Sequence, residues 1–259
     1  AMYRAKGQGR ARFEVFDASM HQRAVRLLEL ETDLWRALDR HELCLHYQPI
    51  ISLEDGQIRG FEALVRWNHP ARGLVSPGEF IPLAEETGLI VPIGWWVLKE
   101  AARQAKIWNE ALGRPLFMSV NLSSKQFSQL NLIENVREAL ENTGLEPHLL
   151  KLEITESVIM ENTESASTML HQMKELGIEL SMDDFGTGYS SLSYLHRFPL
   201  DTLKIDRSFV SQMKEEKSSG ELVGTIVSMA NGLAMTVVAE GVETPEQLAG
   251  LRGLGCGYA

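Results

Sequence analysis

The chain has 259 residues, 44% of them hydrophobic, and a formal net charge of −10, which is enough length for one α/β domain with a sizeable core. The acidic balance excludes a non-specific binder of polymeric nucleic acid, because no Lys/Arg surface is concentrated anywhere to neutralise phosphates. Cys44 and Cys256 form neither a disulfide framework nor a zinc spacing, the histidines make no H-x-x-H pair, and the most apolar stretch, "LIVPIGWWVL", is too short to span a bilayer. A soluble cytoplasmic domain without a membrane segment is the expectation, and any anionic substrate would need a local source of positive charge.

After the basic start "AMYRAKGQGRARFEVF", Arg23 to Glu42 reads as an amphipathic helix with Leu27, Leu30, Leu34 and Leu38 on one stripe, a connector into the main domain. "CLHYQPIISL" and "QIRGFEALVRW" are strand-like runs separated by Glu54-Asp55-Gly56, a turn too short for a parallel crossover, so these two strands should be antiparallel. Ser76-Pro77-Gly78-Glu79 and Thr244-Pro245-Glu246-Gln247 both fit a capping box with Pro at the first helical position. Gly88, Gly113, Gly144 and Gly177 sit where helices should end. Strand and helix then alternate: "LFMSVNLS", a helix over about 126–142, "LLKLEITES", a helix over about 163–176, "IELSMDDF", a short helix near "SSLSYLHRF", "TLKID", a helix over about 219–232, "MTVVAEGV", and a last helix at 245–254. Such alternation predicts a parallel sheet flanked by helices. Seven strands are visible and an eighth begins near Cys256, so a (β/α)8 TIM-type barrel with an antiparallel first strand is the expected architecture, an open doubly wound sheet the runner-up.

The two-residue period of the strands separates an apolar face from a polar one. Met118, Val120 and Leu122 oppose Ser119, Asn121 and Ser123, and Leu150, Leu152 and Ile154 oppose Lys151, Glu153 and Thr155. Leu180 and Met182 oppose Ser181 and Asp183, while Leu203 and Ile205 oppose Thr202, Lys204 and Asp206. On the antiparallel strand Glu62, Leu64 and Arg66 share a side, and "VVAEG" adds Glu240. With helices on the apolar outside, the polar face looks into the barrel and its last members gather at the C-terminal strand ends.

A lone acid at a strand end is ordinarily a helix cap, and a polar strand face is ordinarily solvated. Five acids in one place are another matter. Glu62, Glu153, Asp183, Asp184 and Glu240 would converge with Lys204 as the nearest cation, and like charges about 4 Å apart repel by roughly 4 kcal/mol at an effective dielectric of about 20. Oxygen ligands with one Asn amide suit two Mg²⁺ or Mn²⁺ ions, with the adjacent Asp183 and Asp184 reaching both.

Glu62-Ala63-Leu64 in "GFEALVRW", with "YQPI", "SVNLS", "LEITES", "DDFGTGYSSL", "LKIDRSF" and "VVAEGVET", resembles the EAL domain family of cyclic di-GMP phosphodiesterases over about residues 42–259. "AMYRAKGQGRARF" resembles the end of a GGDEF, diguanylate-cyclase-like domain, making residues 1–19 a remnant of that domain and 20–41 a linker helix in a longer signalling protein.

The resemblance implies hydrolysis of cyclic di-GMP to linear 5′-pGpG, with two Mg²⁺ or Mn²⁺ ions and inhibition by Ca²⁺. By the same resemblance Glu62, Asn121, Glu153 and Asp183 would hold one metal, with Asp183 bridging to a second held by Asp184 and Glu240. Lys204 matches the catalytic lysine, and Glu156 the glutamate that steadies the Asp184–Tyr189 loop. Gln48, Leu64, Arg66, Asp206 and Glu243 fall near the dinucleotide. A homodimer with upstream GGDEF and sensory domains is implied as well. Where this sequence ends, at "GCGYA", the family pattern continues with a Gln-Gly-Tyr segment, the last strand and a helix, so a tail carrying them is expected. An inactive cyclic di-GMP receptor, or a metal-dependent barrel enzyme for another phosphodiester, are the alternatives.

Overall fold

The computed structural model describes residues 18–161, 163–186, 195–213 and 217–259. Contacts divide the described residues into two compact units, one of residues up to 44 with 66–90, the other of residues within 45–65 and 91–259. In chain order the elements are α1 (Ala18–Ala37), β1 (Leu43–Ile51), β2 (Ile58–His69), β3 (Gly73–Val75), α2 (Pro77–Thr87), α3 (Ile90–Leu112), β4 (Phe117–Asn121), α4 (Ser124–Phe127) and α5 (Leu132–Thr143). They continue with β5 (Leu150–Thr155), α6 (Glu156–Glu161), α7 (Thr163–Glu175), β6 (Glu179–Phe185), β7 (Thr202–Ile205), α8 (Arg207–Gln212), α9 (Lys217–Gly232), β8 (Thr236–Ala239) and α10 (Pro245–Gly253).

In the first unit α1 packs on α2, with Leu30, Leu34, Trp67 and Phe80 buried and Trp67 meeting Phe80 edge to face. The stripe differs from the expected one: Leu27 is exposed, and Ala37 is buried in the last turn where the helix stops five residues short of Glu42. Glu42 instead accepts a hydrogen bond from Trp67 Nε1 at 3.0 Å. His69 Nδ1 accepts from the backbone N–H groups of Ala71 and Arg72, which leaves Nε2 to donate to Asp33 Oδ2 at 3.0 Å. The short β3 was not anticipated; it pairs antiparallel with the end of β2, Trp67 opposite Val75. The capping box at Ser76 does not form. Pro77 takes the first helical position, but Ser76 makes no side-chain cap, and Glu79 pairs with Arg26 at 2.7 Å instead.

In the second unit the sheet order is β1-β2-β4-β5-β6-β7-β8, and the neighbours in that order from β2 to β8 are parallel. β1 neighbours β2 across a short turn closed by Ser52 N–H to Gln57 O, too short for a crossover, so the sheet is mixed as the hairpin signal required. From β8 the backbone hydrogen bonds run on through the last residues: Ala239 N–H to Tyr258 O, Tyr258 N–H to Val237 O, and a reciprocal pair between Ala259 and Ile51. The helix expected over 126–142 is two, α4 and α5, broken where Leu130 is fully exposed. The Thr244 capping box is present, with both reciprocal bonds to Gln247. The first part of the helix expected near "SSLSYLHRF" lies outside the described residues. No helix among the described residues is long and apolar enough to cross a membrane.

The polar strand face is buried, which excludes the solvated side of an open antiparallel sheet. Ser119, Lys151, Glu153, Ser181, Thr202 and Lys204 are all 9% exposed or less, while Met118, Leu150, Leu152, Ile154, Leu180 and Leu203 fill the opposite face. Burying each of those aliphatic side chains is worth about 1.5–3 kcal/mol, enough to enforce the alternation on which the site depends.

Candidate functional site

The parallel register sets the level of each polar residue. Glu62 lies opposite Ser119, Asn121 opposite Glu153, Glu153 opposite Ser181, and Thr155 opposite Asp183. Between β6 and β7 the register slips. Met182 pairs with Leu203 and Phe185 with Ile205, so Asp183 and Asp184 together face the single residue Lys204. Asp184 accommodates the extra residue with φ 55°, a left-handed conformation that costs a non-glycine residue about 1–2 kcal/mol and that Asp tolerates better than most. The bulge is why two consecutive residues, which an ordinary strand would send to opposite faces, stand at the same end.

Lys204 is the centre of the arrangement. Its Nζ lies 2.6 Å from Glu153 Oε2, 2.7 Å from Glu240 Oε1, 3.2 Å from Asp183 Oδ1 and 3.3 Å from Glu62 Oε2. Asn121 Nδ2 donates to Glu62 Oε1 at 2.7 Å, and the Asp184 N–H donates to Asp183 Oδ1 at 3.0 Å. Four carboxylates against one ammonium leave a formal excess of three negative charges (4 − 1 = 3) in a buried place.

The titration shifts record that excess. Burial, with Glu62 and Asp183 nearby, pushes the Glu153 carboxyl up to about 8 despite the opposing Lys204. Burial also raises Glu240, and burial with Asp183 and Asp206 raises Asp184. For Lys204 burial works the other way, but the four carboxylates outweigh it and hold the ammonium well above its ordinary value.

Glu62, Asn121, Glu153, Asp183, Lys204 and Glu240 are therefore brought together. Glu156 Oε2 accepts from the Gly186 N–H at 3.3 Å, at the start of the loop it was expected to steady; residues 187–194 of that loop lie outside the described residues. Gln48, Glu62, Leu64, Lys204, Glu240 and Glu243 line one cavity of about 980 Å³, a size suited to a ligand of several hundred daltons. Asp206 is occupied as the cap of α8, where its carboxylate accepts from the Ser208 N–H at 2.9 Å and is held below its usual value by the Ser208 side chain first and by that backbone bond after it. Arg66 follows Leu64 by two residues on β2 and belongs to the first unit. Arg207 and Gly241 line the cavity as well and were not singled out as site residues in the sequence, although both stand inside quoted motifs.

Among the described residues no three acids have their oxygens gathered around an empty point; they converge on Lys204 instead. The chemistry of the donor set still fits hard divalent cations. It is all oxygen, it carries the charge excess, and the Ser181 hydroxyl, level with Glu153 on the next strand, is buried with no hydrogen-bond partner.

Comparisons with known proteins agree with this geometry. The profile of the EAL domain matches residues 31–259. The bifunctional diguanylate cyclase/cyclic di-GMP phosphodiesterase MucR of Pseudomonas aeruginosa is 46% identical over 256 residues, 99% of this chain and 37% of that protein. The cyclic di-GMP phosphodiesterase PdeR of Escherichia coli is 43% identical over 95% of this chain and 37% of its own. The chain thus spans about a third of the length of these curated relatives. Among solved structures, the MucR phosphodiesterase in complex with c-di-GMP superposes with a TM-score of 0.86 at 46% identity, covering 89% of this chain and 93% of that one. The FimX EAL domain gives 0.82 at 25% identity, over 88% and 92%. By its sequence motifs, its acid-rich strand ends and its relatives, the chain belongs to the EAL domain family.

Proposed function

We propose that this chain hydrolyses cyclic di-GMP to linear 5′-pGpG in a reaction dependent on divalent metal. The observation that carries the reading is the meeting of Glu62, Glu153, Asp183 and Glu240 at Lys204 on the floor of a cavity large enough for the dinucleotide. Relatives named as cyclic di-GMP phosphodiesterases, and a relative's complex with c-di-GMP, support the substrate.

Glu62, Asn121, Glu153 and Asp183 would hold one Mg²⁺ or Mn²⁺, and Asp183, Asp184 and Glu240 a second. The chemistry that such ions supply when bound is a lowered pKa for water and stabilisation of charge on phosphate and on the leaving ribose 3′-oxygen. Lys204, which the surrounding carboxylates hold above its ordinary value, would donate hydrogen bonds and offset negative charge. Glu240 suits proton acceptance: its carboxyl is shifted upward, its side chain is 31% exposed at the cavity, and Lys204 fixes its position. Gln48, Leu64 and Glu243, from separate strands and loops of the cavity, would grip the dinucleotide, while Arg66 and Asp206 are proposed as substrate-binding from the family pattern alone.

On the same footing, residues 42–259 form the phosphodiesterase domain of a longer cytoplasmic signalling protein, 20–41 its linker helix and 1–19 the end of a GGDEF domain, active as a homodimer. The hydrogen bonds from β8 through Tyr258 to Ile51 support reading the last residues as the start of the strand that closes an eight-stranded barrel.

Incubation with cyclic di-GMP in Mg²⁺ or Mn²⁺, with chromatographic identification of products, tests the function. Formation of pGpG, abolished by chelator, is expected. Binding without any product would move the protein to the receptor class, and cleavage of unrelated diesters with cyclic di-GMP untouched would overturn the substrate.

A further inference from the structure

We propose that Arg207 binds the phosphate of the substrate that is not being cleaved, and that Gly241 is required to place it. The inference rests on the reading that the cavity takes a cyclic dinucleotide. Such a ligand carries two phosphodiesters on opposite sides of a ring, each with one negative charge. If one lies at the acid-rich strand ends, the other must meet its own cation elsewhere in the cavity.

Three cationic side chains line the described cavity: Lys204, Arg207 and Arg252. Lys204 already has four carboxylate oxygens within 3.3 Å. Arg252 donates from Nε to Leu53 O at 2.7 Å, tied to the β1–β2 hairpin. Arg207 is exposed, and among the described residues no carboxylate lies within ion-pair distance of its guanidinium. Its neighbour Asp206 feels its charge but commits its carboxylate to the Ser208 N–H. A planar fork with no ion-pair partner among the described residues, in a cavity whose acids are Glu62, Glu240 and Glu243, is suited to a bidentate grip on a phosphate.

The backbone around Arg207 is built to keep it there. A Cβ on Gly241 would come within 2.5 Å of Arg207 Cβ and 3.3 Å of its Cα, and Gly241 has φ +67°, so both space and backbone conformation demand glycine. The loop after β8, which carries Glu240 and Glu243, therefore closes directly onto the root of the Arg207 side chain. That loop is pinned again two residues on, where the Glu243 N–H donates to Gln247 Oε1 at 2.8 Å. Arg207 is thus held by its root against the loop of Glu240, and it lines the same cavity as Lys204 and Glu240.

The test compares wild type, Arg207→Gln and Arg207→Lys on cyclic di-GMP and on bis(p-nitrophenyl) phosphate, which has a single phosphodiester, in Mn²⁺, with thermal melting of each variant. Arg207→Gln should raise KM for cyclic di-GMP by about tenfold or more, with the loss in KM rather than kcat, and should cut the preference for cyclic di-GMP over the small diester by about the same factor; Arg207→Lys should recover part of it. Equal losses on both substrates, or a lowered melting temperature with no change in preference, would reduce Arg207 to a support for Gly241 and overturn the proposal. An unchanged KM in a variant of an enzyme that does cleave cyclic di-GMP overturns it alone. A wild type that cleaves the small diester but neither binds nor cleaves cyclic di-GMP removes the substrate reading, and this inference falls with it.

Discussion

Lys151 and Lys204 are both buried in the polar face of the same sheet, one near the N-terminal ends of the strands and the other near their C-terminal ends. Lys151 meets one carboxylate, Glu179 at 2.7 Å, with Thr202 Oγ1 at 3.4 Å and the Phe117 ring centroid at 4.2 Å. Lys204 meets four carboxylates and, among the described residues, no aromatic ring. A buried lysine with one acid, one hydroxyl and one ring is electrically closed and has no need of a ligand. A buried lysine with a surplus of acid is stable only while protons or further cations share the charge. The same residue type in the same sheet is structural at one end and chemical at the other, and the count of neighbouring charges tells them apart.

The sharpest way to break that contrast is to remove one acid at each end. Glu153→Ala should lower hydrolysis of cyclic di-GMP by about 10³-fold or more, while Glu179→Ala should leave it within about threefold. Near wild-type turnover by Glu153→Ala at saturating Mg²⁺ would make both ends structural. The identity of the cation gives the next largest effect. Ca²⁺ is bigger than Mg²⁺ and takes longer, looser oxygen contacts, so it should occupy the carboxylates and permit cyclic di-GMP to bind without cleavage. Calorimetry in Ca²⁺ beside a product assay in Ca²⁺, Mg²⁺ and Mn²⁺ checks this; equal hydrolysis in all three ions would detach the acidic cluster from the chemistry.

Stability should separate the two lysines more gently. Lys151→Met strands a Glu179 side chain that is 34% exposed and can rehydrate, so a loss of about 1 kcal/mol, or roughly 2–4 °C in melting temperature, is expected with or without Mn²⁺. Lys204→Met should melt lower than that in chelator and recover when Mn²⁺ is added. Identical Mn²⁺ responses of the two variants, read by calorimetric melting, would erase the distinction.

The smallest expected effect is a slope with pH. Glu153 has its carboxyl pushed up from an ordinary 4.5 to about 8, so between those values the folded state binds more protons than the unfolded one. Its contribution is therefore fully present below about 4.5 and is lost as pH rises toward about 8. The upward shifts of Asp184 and Glu240 act in the same direction. In chelator the melting temperature should fall across that window, and Mn²⁺ should flatten the fall. A melting temperature that rises with pH through the window in chelator would show that Lys204 alone balances the acids.

Much of this was legible along the chain. The strand faces were, because apolar side chains covered by helices impose a two-residue period that any reader can count in "LLKLEIT" or "IELSMD". The hairpin of β1 and β2 was, because three turn residues leave no length for a crossover. Local signals misled where a distant partner competed. Ser76 has the spacing of a capping box, yet Glu79 lies within 2.7 Å of Arg26, more than fifty residues away, and a charged partner outweighs one backbone N–H. Leu27 has the spacing of a buried stripe, yet among the described side chains of α1 the buried ones are Leu30, Leu34 and Ala37.

By itself, then, the sequence determined which residues line the inside of the sheet, which strand runs against the others, where most helices begin and end, and which acids stand at strand ends. Each of these is a short-range property, set by periodicity, turn length and cap chemistry within a few residues. The tertiary structure alone decided that Lys204 Nζ comes within 3.3 Å of four of those carboxylates, that a bulge opposite Lys204 brings Asp183 and Asp184 to the same end, and that Gly241 closes against Arg207. The side-chain contacts among them join residues 21 to 142 positions apart, and their distances follow from the register between strands and the placement of loops, quantities that no local pattern carries because they arise only when the whole sheet packs.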